Sequence, residues 1–122
     1  HTPTTSQIFV PLYRVNQQIT TILNTRLYMI RLNVFFEVKD AAQTAEIKAL
    51  CQELVEKSLK DNGNVAYDYF VSGTREGVMM ICETWQNEEV LKAHMAAEHF
   101  TTLVPKIEAL TKNGLKLEQF AF

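Results

Sequence analysis

Long apolar runs, glycine-rich loops and blocks of like charge are all missing from this chain of 122 residues. No apolar run approaches the roughly 20 residues that a membrane-spanning helix needs, which argues against a membrane protein. The 12 basic and 14 acidic residues give a formal net charge of −2, and the lack of a basic patch argues against nucleic acid as the main partner. The four glycines form no phosphate-cradling loop, which argues against nucleotide binding.

Cysteine is scarce as well, with only Cys51 and Cys82. Two thiols this far apart in sequence fit neither a disulfide framework nor a zinc site. Each lies within an apolar pattern, where a free thiol behaves as a small hydrophobe. We therefore expect two buried, reduced thiols and a cytoplasmic setting. The remaining composition, 47% hydrophobic and 21% charged, is typical of one globular domain.

Residues 1–28 differ from the rest and are interpreted as an N-terminal extension to a domain that covers residues 29–122. The extension has no acidic residue and lacks the basic and apolar regions of a signal peptide. A helical spacing of apolar residues predicts a short amphipathic helix over 15–27. Met29 opens the first strong pattern. A native extension, an expression remnant and a cleaved precursor all stay open as its origin.

From Met29 the hydrophobic pattern predicts the order strand, helix, strand, strand, helix, strand. The predicted strands are 29–39, 65–71, 78–86 and 115–122, and the predicted helices are 41–60 and, after an Asn87 cap, 88–98 followed by a second helical stretch. Pro105 is expected in the first turn of that stretch, after a break near 99–102 with a threonine as the new cap, because proline disrupts a helix interior. This order is the split βαβ pattern, so the fold class is α+β, ferredoxin-like, with a four-stranded antiparallel sheet and helices on one face.

The first predicted strand has one wholly apolar face, formed by Ile30, Leu32, Val34, Phe36 and Val38. The helices cover only one face of the predicted sheet, so the other face also needs a cover. The continuous apolar face of the first strand predicts that a second subunit provides this cover, and so predicts a homodimer.

One stretch of the sequence resembles the antibiotic biosynthesis monooxygenase (ABM) family. The residues are Glu83-Thr84-Trp85-Gln86-Asn87-Glu88-Glu89-Val90-Leu91-Lys92-Ala93-His94, followed by Glu98-His99-Phe100. In that family a strand ends in an acidic-x-aromatic pattern, and a helix follows with one histidine nine residues after the aromatic and a second five further on. Trp85, His94 and His99 match this spacing without a gap, and the resemblance covers about residues 29–122.

The resemblance implies a dimeric α+β barrel with a pocket between sheet and helices in each subunit. Members of the family include cofactor-free oxygenases of phenolic or quinol substrates, a sugar-phosphate isomerase and haem-degrading enzymes. Asn33 and Trp85 match positions that some members use at their pockets. Val104 stands where the haem-degrading members carry an axial histidine, which argues against haem.

A cofactor-free oxygenase needs a base, donors for an oxyanion and a water-poor pocket. Histidine is the side chain best suited to act as the base near neutral pH. His94 is our first choice and His99 the second, although five residues place them about 140° apart on one continuous helix. Glu83 is a candidate partner that orients His94. The candidate substrate-binding residues are Asn33, Trp85, Phe35, Tyr67 and Tyr69.

Each candidate also has a purely structural interpretation. His94 could simply satisfy a neighbouring strand, His99 could cap a helix, and Trp85 and the tyrosines could belong to the core. We expect no metal, because two histidines five apart do not share a helix face and no third ligand lies at motif spacing.

The leading hypothesis is a homodimeric monooxygenase without a cofactor, with molecular oxygen as co-substrate and a small quinol or phenol as substrate. The alternatives are an isomerase of a small carbonyl or sugar-phosphate compound and a non-catalytic small-molecule-binding dimer. Whether the chain is an enzyme, and for which substrate, is not decided by its sequence.

Overall fold

One antiparallel sheet with helices packed on one of its faces organises the chain. A computed structural model describes residues 9–11 and 28–122. A 3-10 turn at Ala41–Gln43 precedes the first helix. In chain order the elements are β1 (Phe9–Pro11), β2 (Ile30–Glu37), α1 (Thr44–Ser58), β3 (Asn64–Val71), β4 (Val78–Trp85), α2 (Glu88–Ala96), α3 (Glu98–Ala109) and β5 (Lys116–Ala121).

The sheet has the strand order β1-β5-β2-β4-β3, with every neighbouring pair antiparallel. Strands β2 to β5 form the four-stranded ferredoxin-like sheet that the sequence predicts, so the fold class is confirmed. The three-residue β1 extends this sheet beyond β5 and was not predicted. The predicted helix over 15–27 lies outside the described residues.

The apolar face of β2 supplies the centre of the hydrophobic core. Ile30, Leu32 and Val34 are buried, and they pack with Ile47 and Leu54 of α1 among the core residues. The homodimer was predicted from this apolar face. That reason was wrong, because helices of the same chain cover the face. The opposite face of the sheet has no helix among the described residues to cover it.

The break between α2 and α3 falls at Ala97, whose extended backbone (φ −70°, ψ 150°) ends one helix and precedes the next. From the sequence, this break was predicted a few residues later, with a threonine cap and with Pro105 in the first turn of the second helix. Both details were wrong: no side chain caps α3, and Pro105 lies inside it. Proline then removes one helical hydrogen bond, a cost that the burial of Leu103 and Ile107 offsets. At the start of α2 the predicted cap is confirmed, since Asn87 accepts from the Val90 N–H.

Both cysteines are free thiols. Cys51 is buried in the core, as predicted, and burial raises the pKa of its thiol to about 12. Cys82 is only half-buried, because it lies on the sheet face away from the helices. Among the described residues, no helix combines the length and apolar character needed to cross a lipid bilayer.

The turn that follows α1 packs tightly against α2. Gly63 in this turn has φ +81°, a conformation that L side chains rarely adopt. A Cβ atom at this position would lie 2.5 Å from a side-chain methyl of Val90. The turn and α2 are therefore held in one relative position, which matters because Asp61 lies in this turn and His94 in α2.

Gly63→Ala should destabilise the fold by about 2–4 kcal/mol, because it combines left-handed strain with overpacking against Val90. Gly73→Ala is the matched control, since Gly73 has nothing within 4 Å of an added Cβ and no positive φ. Urea denaturation of the two variants measures the difference. Equal stability of the variants would contradict the tight packing of this turn on α2.

Candidate active site

A small cavity lies between the sheet and the helices. Its volume is about 10 Å³, close to the smallest that holds one water molecule. Apolar residues dominate its walls, and its two polar residues are Tyr67 and Glu83. The lining consists of Leu32, Val34, Leu54, Tyr67, Ile81, Glu83, Met95, Phe100, Val104, Ile107 and Leu115. Any ligand larger than water therefore requires this cavity to widen.

His94 occupies the last turn of α2, beside this cavity. Its side chain is fully buried, and its ring packs 4.4 Å from the Trp85 ring and 5.2 Å from the Phe100 ring, between centroids. Its Nδ1 lies 2.7 Å from Oδ2 of Asp61. Because a carboxylate only accepts, Nδ1 carries the hydrogen and the lone pair of a neutral ring is on Nε2. That Nε2 atom has no hydrogen-bond partner.

Asp61 joins the two histidines. Its Oδ2 also lies 2.8 Å from Nε2 of His99, so one carboxylate oxygen accepts from both rings. The two histidines converge because Ala97 interrupts the helix between them. Asp61 was not among the predicted site residues, since nothing in its spacing to the histidines marks it.

Three potential metal ligands lie close together at this site, although the two histidines are five residues apart. Asp61, His94 and His99 each offer one ligand atom, and these atoms lie within 4.8 Å of one another. The separations of 2.7 and 2.8 Å from the carboxylate oxygen are those of hydrogen bonds. The absence of a metal stays a prediction.

Glu83 presents the second titratable group of the site. Its Oε1 accepts a hydrogen bond from Nε1 of Trp85 at 2.9 Å and lies 3.9 Å from Nε2 of His94. Burial raises the pKa of Glu83 to about 7, against the lowering effect of hydrogen bonds from Trp85 and Tyr67. The sequence suggested that Glu83 orients His94. In the structure Asp61 has this role instead, through its hydrogen bond with Nδ1 of His94.

Burial also lowers the pKa of His94, against the raising effect of Asp61. The pKa shifts of His94 and Glu83 therefore favour the uncharged form of each group. At neutral pH a neutral imidazole and a partly protonated carboxyl group therefore face each other, and both residues are buried. Pairs of titratable groups with opposed shifts are typical of acid–base sites.

The other predicted site residues divide between the two faces of the sheet. Trp85, Tyr67 and Tyr69 lie on the helix-covered face with Glu83, and Tyr67 lines the cavity. Asn33 and Phe35 lie on the opposite face, where Asn33 Nδ2 donates to Oε1 of Glu118 at 2.8 Å. The structure therefore does not bring these two residues together with His94 within one subunit.

Comparisons with known proteins identify the family to which this fold belongs. The family model of the antibiotic biosynthesis monooxygenases matches residues 29–106. The Bacillus subtilis (strain 168) protein YcnE, a suggested monooxygenase, is 32% identical over 78 residues, which cover 64% of this chain and 81% of YcnE. A Bacteroides thetaiotaomicron protein of unknown function, suggested to be an oxidoreductase, is 47% identical, with a TM-score of 0.74 over 79% of this chain and 99% of that one.

A solved antibiotic biosynthesis monooxygenase is 29% identical and aligns with a TM-score of 0.69 over 74% of this chain and 94% of its own. This chain and these proteins thus share one class of small α+β domain, and in this chain the domain carries the acidic-x-aromatic strand end and the two histidines. The chain belongs to the antibiotic biosynthesis monooxygenase family.

Proposed function

We propose that this protein is a cofactor-independent monooxygenase of small quinols or phenols, with molecular oxygen as co-substrate. The observation that carries the proposal is the gap of 3.9 Å between Oε1 of Glu83 and Nε2 of His94. This gap is too long for a hydrogen bond, yet one oxygen atom placed beside it could reach both atoms at hydrogen-bond distance. A substrate hydroxyl fits that position.

His94 acts as the base in this proposal. Its Nε2 lone pair takes the hydroxyl proton, and the Asp61 carboxylate stabilises the imidazolium that forms. Glu83 in its protonated form donates to the phenolate oxygen, so that the negative charge forms beside a ready donor.

The remaining steps need only oxygen. The phenolate gives one electron to O₂, and the resulting superoxide and phenoxyl radical join through a new C–O bond at a ring carbon that bears hydrogen. The peroxide takes the proton from His94 and loses water, which turns that carbon into a carbonyl group. One substrate and one O₂ thus give one quinone-type product and one water molecule.

The surroundings of the pair suit this chemistry. Apolar walls keep water from the anion and its radical, and Met95, Phe100 and Val104 form the helix side of the cavity. These residues flank or follow the break at Ala97, so the helix layer is the part expected to move when a substrate enters. Val104, at the position of the axial histidine of haem-degrading relatives, is an aliphatic wall that cannot ligate iron.

The charge of the cavity argues against a sugar-phosphate substrate. Among the described residues that line it there is no lysine or arginine, so a phosphate would meet Glu83 without a counter-charge. The non-catalytic alternative gives no reason for the opposed pKa shifts of Glu83 and His94.

Oxygen uptake tests the proposal. With a panel of hydroquinones and anthrone, the protein should consume oxygen above the spontaneous rate, and His94→Ala should lose about 10²–10⁴-fold of this rate. The rate should fall in acid as His94 becomes protonated, and this fall should lie at lower pH than for an ordinary histidine because burial lowers the pKa of His94. The rate should also fall above about pH 7 as Glu83 ionises.

Glu83→Gln keeps a donor but cannot titrate, so it should retain uptake and lose the alkaline fall. His99→Gln is the matched control for His94→Ala, because His99 contacts Asp61 but not the gap. Uptake that survives in His94→Ala, or that is absent with every substrate, would refute the oxygenase assignment.

We also propose that the open face of the sheet, defined here as the face without helices, forms a homodimer interface. A row across this face places Phe70, Met80 and Phe35 side by side on β3, β4 and β2. Phe70 is 48% exposed, which is costly for a large aromatic side chain in water. Family resemblance implies the same assembly, and this face replaces the β2 face invoked from sequence. Asn33 and Phe35 would then lie at the interface.

Sedimentation at micromolar concentration should give a dimer that Phe70→Asp converts largely to monomer. Leu59→Asp is the matched control, because Leu59 is 52% exposed but lies at the end of α1, away from the open face. A monomeric wild-type protein, or equal loss of dimer in the two variants, would contradict this interface.

A further inference from the structure

Gln119 is a buried polar side chain without a partner. It lies on β5 with 0% exposure, and neither its amide nitrogen nor its amide oxygen makes a hydrogen bond. Leaving both atoms of an amide unpaired is costly, and such groups in a native protein call for an explanation. A ligand that supplies the missing partners is one such explanation.

The register of the sheet places Gln119 in line with the proposed catalytic groups. Gln119 pairs with Leu32, Leu32 pairs with Glu83, and Glu83 pairs with Tyr67. These four residues form one row across the helix-covered face, and Leu32, Glu83 and Tyr67 line the cavity. Because adjacent strands lie about 4.8 Å apart, the backbones of Gln119 and Glu83 are about 10 Å apart, with Leu32 between them.

Two polar groups without hydrogen-bond partners therefore lie on opposite sides of the apolar residue Leu32. On one side is Nε2 of His94, next to Glu83, and on the other is the amide of Gln119. We propose that Gln119 binds the second oxygen of a two-ended aromatic substrate, whose ring lies over Leu32 and whose first hydroxyl lies between His94 and Glu83. This inference rests on the proposed function and narrows the substrate class to para-dioxygenated rings.

The chemistry of the amide supports a neutral oxygen at this end. Glutamine offers both a donor and an acceptor without charge, so it pairs with a second hydroxyl group, which itself both donates and accepts. A carboxylate or phosphate would instead require a cationic partner in such a buried place. A para-quinol has a neutral oxygen at each end and the length to reach both positions.

Anaerobic titration calorimetry with 1,4-dihydroxynaphthalene and 1-naphthol tests this role, since the two ligands differ only in the second hydroxyl. The second hydroxyl should tighten binding to the wild-type protein about 10-fold. In Gln119→Met, which keeps the volume and loses the amide, the two ligands should bind within about 2-fold of each other. Gln119→Leu provides a second variant with the same expectation.

Leu117→Met is the matched control, because Leu117 is a buried neighbour on the same strand and face but has no polar group. It should keep the 10-fold preference. Gln119→Met should also raise the midpoint of urea denaturation, since an unpaired buried amide is removed. A residue that merely supports the fold would instead lower it.

The inference is overturned if Gln119→Met keeps the preference for the diol, if the wild-type protein shows none, or if it binds neither ligand. A parallel measurement of oxygen uptake distinguishes failure of this inference from failure of the proposed function. Discrimination that depends on Gln119 without any oxygen uptake would sustain the two-ended site and refute the oxygenase. If the protein consumes oxygen but Gln119→Met still prefers the diol, the two-ended site would be refuted and the oxygenase assignment sustained.

Discussion

The hydrogen bond between Asp61 and Nδ1 of His94 is the interaction on which the candidate site depends. It fixes the ring, selects the tautomer and leaves the Nε2 lone pair directed toward Glu83. The fold supplies both partners from separate elements: the turn after α1 carries Asp61 and α2 carries His94. Gly63 holds these elements in contact through its left-handed conformation and its approach to Val90. A local backbone requirement thus determines the geometry of the proposed acid–base pair.

Burial then sets the electrostatics of that pair. The apolar walls that stabilise the domain also favour uncharged groups, so they raise the pKa of Glu83 to about 7 and lower the pKa of His94. The same burial leaves Nε2 of His94 and the amide of Gln119 without partners. Unsatisfied polar atoms cost stability, and a protein that keeps them gains elsewhere, most directly in binding. The same buried residues therefore stabilise the fold and form the candidate site, although stability favours paired polar groups and binding favours unpaired ones.

Much of the fold follows from the sequence, because the two-residue period of β2 and the cap at Asn87 are local signals. The break at Ala97 was misplaced, since tertiary burial of α3 outweighs the local preference of Pro105. His94, Glu83 and Trp85 could be named because they lie in one strand and helix that resemble the family's motif. Asp61 and Gln119 could not, because their importance arises only when a turn and a distant strand are brought beside the motif. The face on which Asn33 lies likewise depends on which side the helices cover.

The tautomer of His94 tests the central claim most directly. The chain contains three histidines, so ¹⁵N-labelled imidazole signals can be assigned by single substitutions and followed from pH 5 to 8 by NMR. The account predicts that neutral His94 carries hydrogen on Nδ1 and an unprotonated Nε2, and that Asp61→Asn disturbs this state. A neutral ring with hydrogen on Nε2 in the wild-type protein would contradict the account, because no lone pair would then face the proposed substrate position.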